Sequence, residues 1–417
     1  MTTIIFVVFC IVYLGMILGG LPFLQLDRTG IALLGAIALI GVEAVSPEEA
    51  AKSIHLPTLI LLFSFMVVSA QMRLGGFYAW VTRWLAALPL PAPLLLAALI
   101  LVVAALSAVF SNDIVCLAVA PVLIDACIAR RLDPVPYLLA LACAANVGSA
   151  ATLIGNPQNM LIGETLKLSF GGYFAQALGP VLLGLLVTWC LIAWQARGRW
   201  GAPQGDTARS GAPERCEDDQ APLDRWQTAK GLSVAAVLVA VFLLLPAWPR
   251  DVAALTGAGL LLMSRKLHSN KMLGLVDWEL LILFIGLFVV NHALQRTGIV
   301  SGIVVDLAAA GVNLGQPGPL FAATLVLSNV VSNVPAVMLL LPVAAHTLAG
   351  PTLALVSTLA GNLLIVGSIA NIIVVDAAAR RGIRIGWQRH ARVGVPVTLA
   401  TLGICAASLW WRVLPAA

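Results

Sequence analysis

Along most of the chain the hydrophobic residues do not alternate with polar ones but run on in uninterrupted stretches. A helix of about 20 apolar residues crosses roughly 30 Å of hydrocarbon. Such stretches fall at about 3–21, 29–45, 56–72, 136–162 and 173–195, and again at about 231–248, 251–264, 278–295, 352–378 and 393–411. A polar segment from Arg197 to Lys230 separates the two series. Each series also holds a long apolar region that polar residues interrupt: 92–128 carries Ser111, Asn112 and Asp113, and 317–349 carries Ser332 and Asn333. Polar and ionisable groups at membrane depth are expensive, and a lipid-facing helix has no use for them.

The interruptions come in matched pairs. Phe110 to Pro121 reads FSNDIVCLAVAP and Val331 to Pro342 reads VSNVPAVMLLLP, so in both Ser-Asn leads an apolar stretch that closes on proline nine residues after the asparagine. Leu153 to Ile162 is LIGNPQNMLI and Ile365 to Val374 is IVGSIANIIV, which share Gly-x-x-x-Asn at Gly155/Asn159 and Gly367/Asn371. The pattern predicts an all-α polytopic membrane protein built of two repeats, 1–195 and 229–417, joined by a linker at 196–228. Each repeat is expected to hold about five transmembrane helices, one re-entrant hairpin and an unwound, discontinuous helix at the midplane. Paired broken helices are the mark of a secondary transporter whose site lies where the breaks meet.

Charge sets the orientation. With both interrupted regions as hairpins and the N-terminus outside, 19 of the 24 Lys and Arg residues fall inside and five outside (Lys52, Lys167, Arg250, Arg296 and Arg412), as the positive-inside rule requires. Were the two regions full spans, Arg130, Arg131 and the basic linker would move outside. The hairpin topology puts both termini on the outer, periplasmic side and makes the second repeat inverted relative to the first. The linker, GAPQGDTARSGAPERCEDDQAP within it, reads as a flexible cytoplasmic tether.

Composition narrows the class. A mean hydropathy of +0.99 with 10% charged residues leaves no soluble reading, since globular chains carry about 25%. The net charge of +5 lies in short loops and points to topology, not to nucleic acid. The seven cysteines form no CxxC and imply neither a disulfide framework nor a zinc site. The first twenty residues have no basic n-region and are read as the first span. No Gly-x-x-x-x-Gly-Lys-Ser/Thr and no HExxH motif is present, so neither an ATP-driven pump nor an intramembrane enzyme is expected, and no cofactor or metal is implied.

The polar residues at the breaks are the candidate site. A helix that ends inside a membrane leaves N–H and C=O groups in need of partners, and a solute or ion can be one. Ser111, Asn112, Ser332 and Asn333 are placed at the hairpin tips. Gly148, Ser149, Thr152, Gly155, Asn156, Pro157 and Asn159 are placed in the first unwound loop, and Gly361, Asn362, Gly367, Ser368 and Asn371 in the second. The bland alternative is helix caps and small-residue packing, which the symmetric recurrence disfavours. Asp113 stands opposite Val334 and is the one ionisable group of the two tips, a candidate for proton or ion coupling. Asp376, four residues before Arg380, fits an interfacial salt bridge as well as a transport role, while Glu43, Asp125 and Asp306 are expected to be solvated or paired. Asp277 and Glu279 suit a helix N-terminus.

FSNDIVCLAVAP with GSAATLIGNPQNMLIG, and SNVVSNVPAVMLLLP with GNLLIVGSIANIIVVDAAARRG, resemble the ion transporter superfamily that includes ArsB-type arsenite permeases, NhaD-type sodium/proton antiporters and dicarboxylate/sodium symporters. The resemblance covers nearly the whole chain outside the linker. It implies a scaffold, a mobile transport domain that carries the hairpins and unwound helices, an elevator-like movement and a homodimer. Ser-Asn-Asp at the first tip and Ser-Asn-Val at the second are similar to the arsenite-permease and antiporter branch, since the dicarboxylate symporters carry Ser-Asn-Thr at both. The expectation is a bacterial inner-membrane exporter of arsenite or antimonite in exchange for protons, with arsenical resistance as its consequence. A sodium/proton antiporter or an anion permease of the same superfamily stays open, as does a non-transporting membrane anchor for a soluble ATPase subunit.

Overall fold

Each apolar stretch becomes a helix or a pair of half-helices. A computed structural model describes residues 1–20, 25–201 and 222–413, and among these the regular secondary structure is helical apart from one isolated bridge between Leu132 and Gly201. The first series runs α1 (Thr2–Leu18), α2 (Arg28–Gly41), α3 (Pro47–Ser53), α4 (Leu56–Leu74), α5 (Phe77–Ala87), α6 (Ala92–Val109), α7 (Asn112–Ala129), α8 (Pro134–Ser149), α9 (Pro157–Thr165) and α10 (Phe170–Gln195). The second runs α11 (Arg225–Leu244), α12 (Arg250–Leu262), α13 (Ser269–Leu273), α14 (Trp278–Arg296), α15 (Ile299–Ala309), α16 (Pro317–Val331), α17 (Asn333–Leu340), α18 (Ala349–Ala360), α19 (Ile369–Arg380) and α20 (Trp387–Val413). Long, short and broken helices follow in the same order in both. Most of the expected linker, 202–221, lies outside the described residues.

Among the described residues, seven helices are long and apolar enough to cross a membrane: α4, α6, α7, α10, α11, α14 and α20. Of the ten spans expected, five are not among these seven, for two reasons, while α6 and α7, expected as hairpin arms, are. The apolar stretches of α1, α2 and α12 give helices of 17, 14 and 13 residues, and 136–162 and 352–378 each divide into half-helices around a break. The arms of the first hairpin, α6 and α7, have 18 residues each, about 27 Å at 1.5 Å per residue, while α17 in the second has eight before a 3-10 turn at Leu341–Val343.

Helix ends are fixed locally. Asp27 caps α2 by accepting from Gly30 N at 2.8 Å, and Asp277 caps α14 by accepting from Leu280 N at 2.9 Å. Ser46 and Glu49 close a reciprocal capping box on α3. The short helices α3, α5, α13 and α15 were not foreseen, because a search for twenty-residue apolar runs passes over helices of 5 to 11 residues.

Two packed bodies result. In one, α4 lies along α12 and α2 along α14, with α1 and α11 against them. Gly286 lets α14 approach α2 closely, since a Cβ there would stand 2.7 Å from the backbone carbon of Ala32. In the other body α6 packs on α8, α7 on α19, α16 on α18 and α10 on α20, so elements of the two series interleave. Exposed Trp80, Trp84, Trp194, Trp226, Trp248, Trp387, Trp410 and Trp411 suit the interfacial positions that tryptophan favours in membranes. Asp376 pairs with Arg380 at 2.8 Å and Asp125 with Arg381, while Glu43 and Asp306 are exposed.

Candidate functional site

Both hairpin tips come to both helix breaks. The first tip turns at Phe110–Ser111, and Asn112 at the start of α7 donates its backbone N–H to Gly155 O at 3.2 Å. Gly155 is required there, because a Cβ would lie 2.7 Å from Ser149 Cα and 2.8 Å from Ser107 O. Gly148 plays the same part in α8, where a Cβ would meet Ala104 O at 2.6 Å. At the second tip Ser332 adopts φ 79 and ψ 161, a region almost confined to glycine that costs about 1–3 kcal/mol. In the second break a 3-10 turn at Ile365–Gly367 brings Gly367 against Gly361, with a Cβ on Gly367 placed 3.1 Å from Gly361 O.

Behind the tips lies a buried hydrogen-bonded layer. Asn146 of α8 is its hub: its Nδ2 donates to Asn362 Oδ1 at 2.8 Å and Asn371 Oδ1 at 3.3 Å, and its Oδ1 accepts from Ser368 Oγ at 2.9 Å and Asn112 Nδ2 at 3.2 Å. Thr358 of α18 serves the first break. It accepts from Asn156 Nδ2 and Gln158 Nε2, both at 3.2 Å, and its hydroxyl lies 3.3 Å from Asn159 Oδ1. In the register set by Gly155/Gly367, Asn146 corresponds to Thr358, Asn156 to Ser368 and Asn159 to Asn371. The polar residue of each half thus holds the break of the other.

The remaining bonds fix the loops. Asn156 caps α9 by accepting from Asn159 N at 2.9 Å and donates to Ser149 Oγ at 3.0 Å. Pro157 takes the first helical position of α9, where a missing N–H costs nothing. Asn159 Nδ2 donates to Thr152 O at 3.0 Å, Thr152 Oγ1 donates to Ala108 O, and Asn371 Nδ2 donates to Gly361 O and Leu364 O at 2.8 and 3.0 Å. His390 Nε2 lies 3.1 Å from Asn362 O.

Where the tips meet is a cavity of about 30 Å³, lined by Asn112, Asp113, Pro157, Gln158, Leu280, Ser332, Asn333, Val334, Ser368 and Ile369. It has room for one or two water-sized groups. Six expected site residues line it: Asn112, Asp113, Pro157, Ser332, Asn333 and Ser368. Ser149, Thr152, Gly155, Asn156, Asn159, Asn362, Gly367 and Asn371 form the layer behind, and Ser111 is the N-cap residue of α7 without lining the cavity. Asn112 Oδ1, Asn333 Oδ1 and Asn362 Nδ2 are buried without a hydrogen-bond partner. Asp113 is the one acidic lining residue, and no Lys or Arg lines the cavity.

Asn146, Gln158 and Thr358 were missed. Asn146 and Thr358 sit in the last turns of the apolar helices α8 and α18, just ahead of the breaks, and only the two-fold register extended backwards from Gly155 and Gly367 points to both. Replacing Asn146 by Ala strands the amide of Asn112 and the oxygens of Asn362 and Asn371, each at about 1–3 kcal/mol. Asn146→Asp sets a carboxylate oxygen against those two amide oxygens and is the worse change. Thermal melting of the detergent-solubilised protein is expected to show both variants lower than wild type, Asn146→Asp lowest; equal melting would remove Asn146 as the hub.

Comparison with known proteins agrees with this architecture. The profile of the CitMHS family, described as "Citrate transporter", matches residues 4–360. The silicon efflux transporter LSI3 of Oryza sativa subsp. japonica is 30% identical over 92% of this chain and 92% of its own. The inner membrane protein YbiR of Escherichia coli (strain K12) is 30% identical over 89% of this chain and 93% of its own. Among solved structures, the YdaH transporter of Alcanivorax borkumensis, whose crystal structure is described as having an unusual topology, superposes with a TM-score of 0.52 over 99% of this chain and 98% of that one; at 13% identity the likeness is one of fold. With its matched breaks, interleaved half-helices and a family profile that covers the first series and reaches into the second as far as residue 360, this chain is a multi-pass membrane transporter that belongs to the CitMHS citrate transporter family of the ion transporter superfamily.

Proposed function

We propose that the protein exports a small neutral metalloid hydroxide, arsenite or antimonite, across the bacterial inner membrane in exchange for protons. One observation carries the reading: the cavity presents amide and hydroxyl groups, one carboxylate and no cationic side chain. A tricarboxylate such as citrate calls for positive charge, as carboxylates are held best by bidentate arginine or by lysine. A neutral hydroxide needs acceptors for its O–H groups and donors for its oxygens, and because arsenite has three such groups and the cavity holds one or two, the tips part to admit it. Asn112 Oδ1 and Asn333 Oδ1 supply unclaimed acceptors, and Asn112, Gln158, Asn333 and Ser368 supply amides and a hydroxyl on the same wall. LSI3, named for efflux of silicon, is a relative whose solute chemistry is close to this.

Exchange follows from a shared group. Asp113 ionised accepts a hydroxyl of the bound solute, while protonation turns one of its oxygens into a donor and leaves the other a weaker acceptor, so proton and solute compete for one site. Both repeats are taken as inverted, and the body that holds hairpins and breaks slides past the α2–α4–α12–α14 body as an elevator. The working unit is a homodimer with periplasmic termini, and the name of YbiR supports the inner membrane.

Everted vesicles energised by a proton gradient test the reading: arsenite accumulates in those that contain the protein and not in empty ones. A second reading rests on the same orphan oxygens, since two amide oxygens beside a carboxylate also suit a hard cation. Sodium-dependent dissipation of the proton gradient with no arsenite uptake would replace the first reading with sodium/proton antiport.

A further inference from the structure

A buried ion pair joins the two bodies. Arg250, the first residue of α12, places Nε 2.9 Å from Glu164 Oε1 on α9, and its second nitrogen donates to Gly163 O at 2.8 Å. The side chains are 14% and 5% exposed, so the bond is shielded from water and its loss costs more than that of a surface pair. Helix α9 carries the first break and α12 belongs to the other body.

The second series repeats both partners. In the register of Gly155/Gly367 and Asn159/Asn371, Glu164 falls on Asp376 of α19. Arg250 opens Arg-x-x-x-Ala-Leu-x-Gly at Arg250, Ala254, Leu255 and Gly257, and α2 opens the same pattern at Arg28, Ala32, Leu33 and Gly35. The counterpart of Glu164–Arg250 is therefore Asp376–Arg28. That pair is open: Asp376 is 56% exposed and bonds to Arg380 of its own helix, and Arg28 makes no ion pair among the described residues.

A second difference between the halves has the same sense. Helix α5 buries Phe77, Tyr78, Val81 and Leu85, and packs on α7. Its counterpart α15 buries no residue, and a groove of about 800 Å³ opens between it and the second hairpin, lined by Ile303, Leu307, Ala323 and Leu340 among others. Where one half is closed the other is open.

We infer that Glu164–Arg250 and Asp376–Arg28 are alternating ionic latches, one closed at each end of the sliding movement. The charge-derived topology puts Arg250 outside and Arg28 inside, so a slide that pulls α9 away from α12 carries α19 toward the start of α2. Each latch holds one end state, and each is released as the other forms. The inference rests on the sliding movement proposed above and not on the transported solute.

Hydrogen exchange of the full-length protein reads the latches without a transport assay. In Glu164→Gln, backbone amides at the start of α12 are expected to exchange several-fold faster than in wild type, and those at the start of α2 and the end of α19 several-fold slower. Arg250→Gln gives the same pattern, which guards against misfolding of one variant. Adding Asp376→Asn to Glu164→Gln removes the new protection at α2. Faster exchange confined to α12, with α2 and α19 unchanged in both single variants, would make Glu164–Arg250 a local salt bridge and overturn the inference. Arsenite uptake can fail while the exchange pattern appears, or persist while it does not, so the two proposals fail separately.

Discussion

Everted vesicles that carry Asp113→Asn take up arsenite under a proton gradient no further than to the outside concentration, whereas wild-type vesicles concentrate it. The substitution keeps size and shape, leaves the first turn of α7 in place and removes the one ionisable group that lines the cavity. With asparagine at 113 the cavity still offers hydrogen bonds, so facilitated arsenite movement down its own gradient persists while uphill movement driven by protons is lost. The split between the two modes is what separates coupling from mere architecture, because a structural role for Asp113 would abolish both. Undiminished proton-driven uptake by the variant would end its assignment as the coupling group.

Gly155→Ala is expected to cost at least as much activity by a different route. A methyl group there meets backbone atoms of Ser149 and the carbonyl of Ser107, which cannot rotate away as a side-chain end would. Overpacking of this kind costs about 1–3 kcal/mol and sometimes more. The strain falls on the bond from Asn112 N to Gly155 O that ties the first tip to the first break. Arsenite uptake is expected to fall to background with a lowered melting temperature, while Gly179→Ala, where a Cβ meets nothing within 4 Å, leaves both unchanged. Wild-type uptake by Gly155→Ala would show that the tip does not seat against the break.

The breaks were legible because polar residues inside an apolar run are conspicuous, and their recurrence as Ser-Asn and Gly-x-x-x-Asn in two halves gave a register as well as a location. Asn112, Asp113, Ser332, Asn333 and Ser368 thereby came out on one cavity. Asp376, for which a salt bridge to Arg380 and a transport role were both open, pairs with Arg380, and Asp125, expected to be solvated or paired, pairs with Arg381. What escaped was whatever carries no local signal. Asn146 lies in the largely apolar α8, and its four partners lie on α7, in the second break and on α19, a meeting that only tertiary packing creates. The short helices α5 and α15 fall below the length at which hydropathy speaks. The span count also suffered, since an apolar run fixes where a segment is buried but not where its helix stops.

Anomalous scattering from arsenic in crystals grown with arsenite is the most direct measurement of the site. The account predicts one peak in the cavity, within hydrogen-bonding reach of Asn112, Asp113, Asn333 and Ser368, absent from crystals of a Gly155→Ala variant. A peak elsewhere, or none in the cavity at concentrations that saturate uptake, would contradict it.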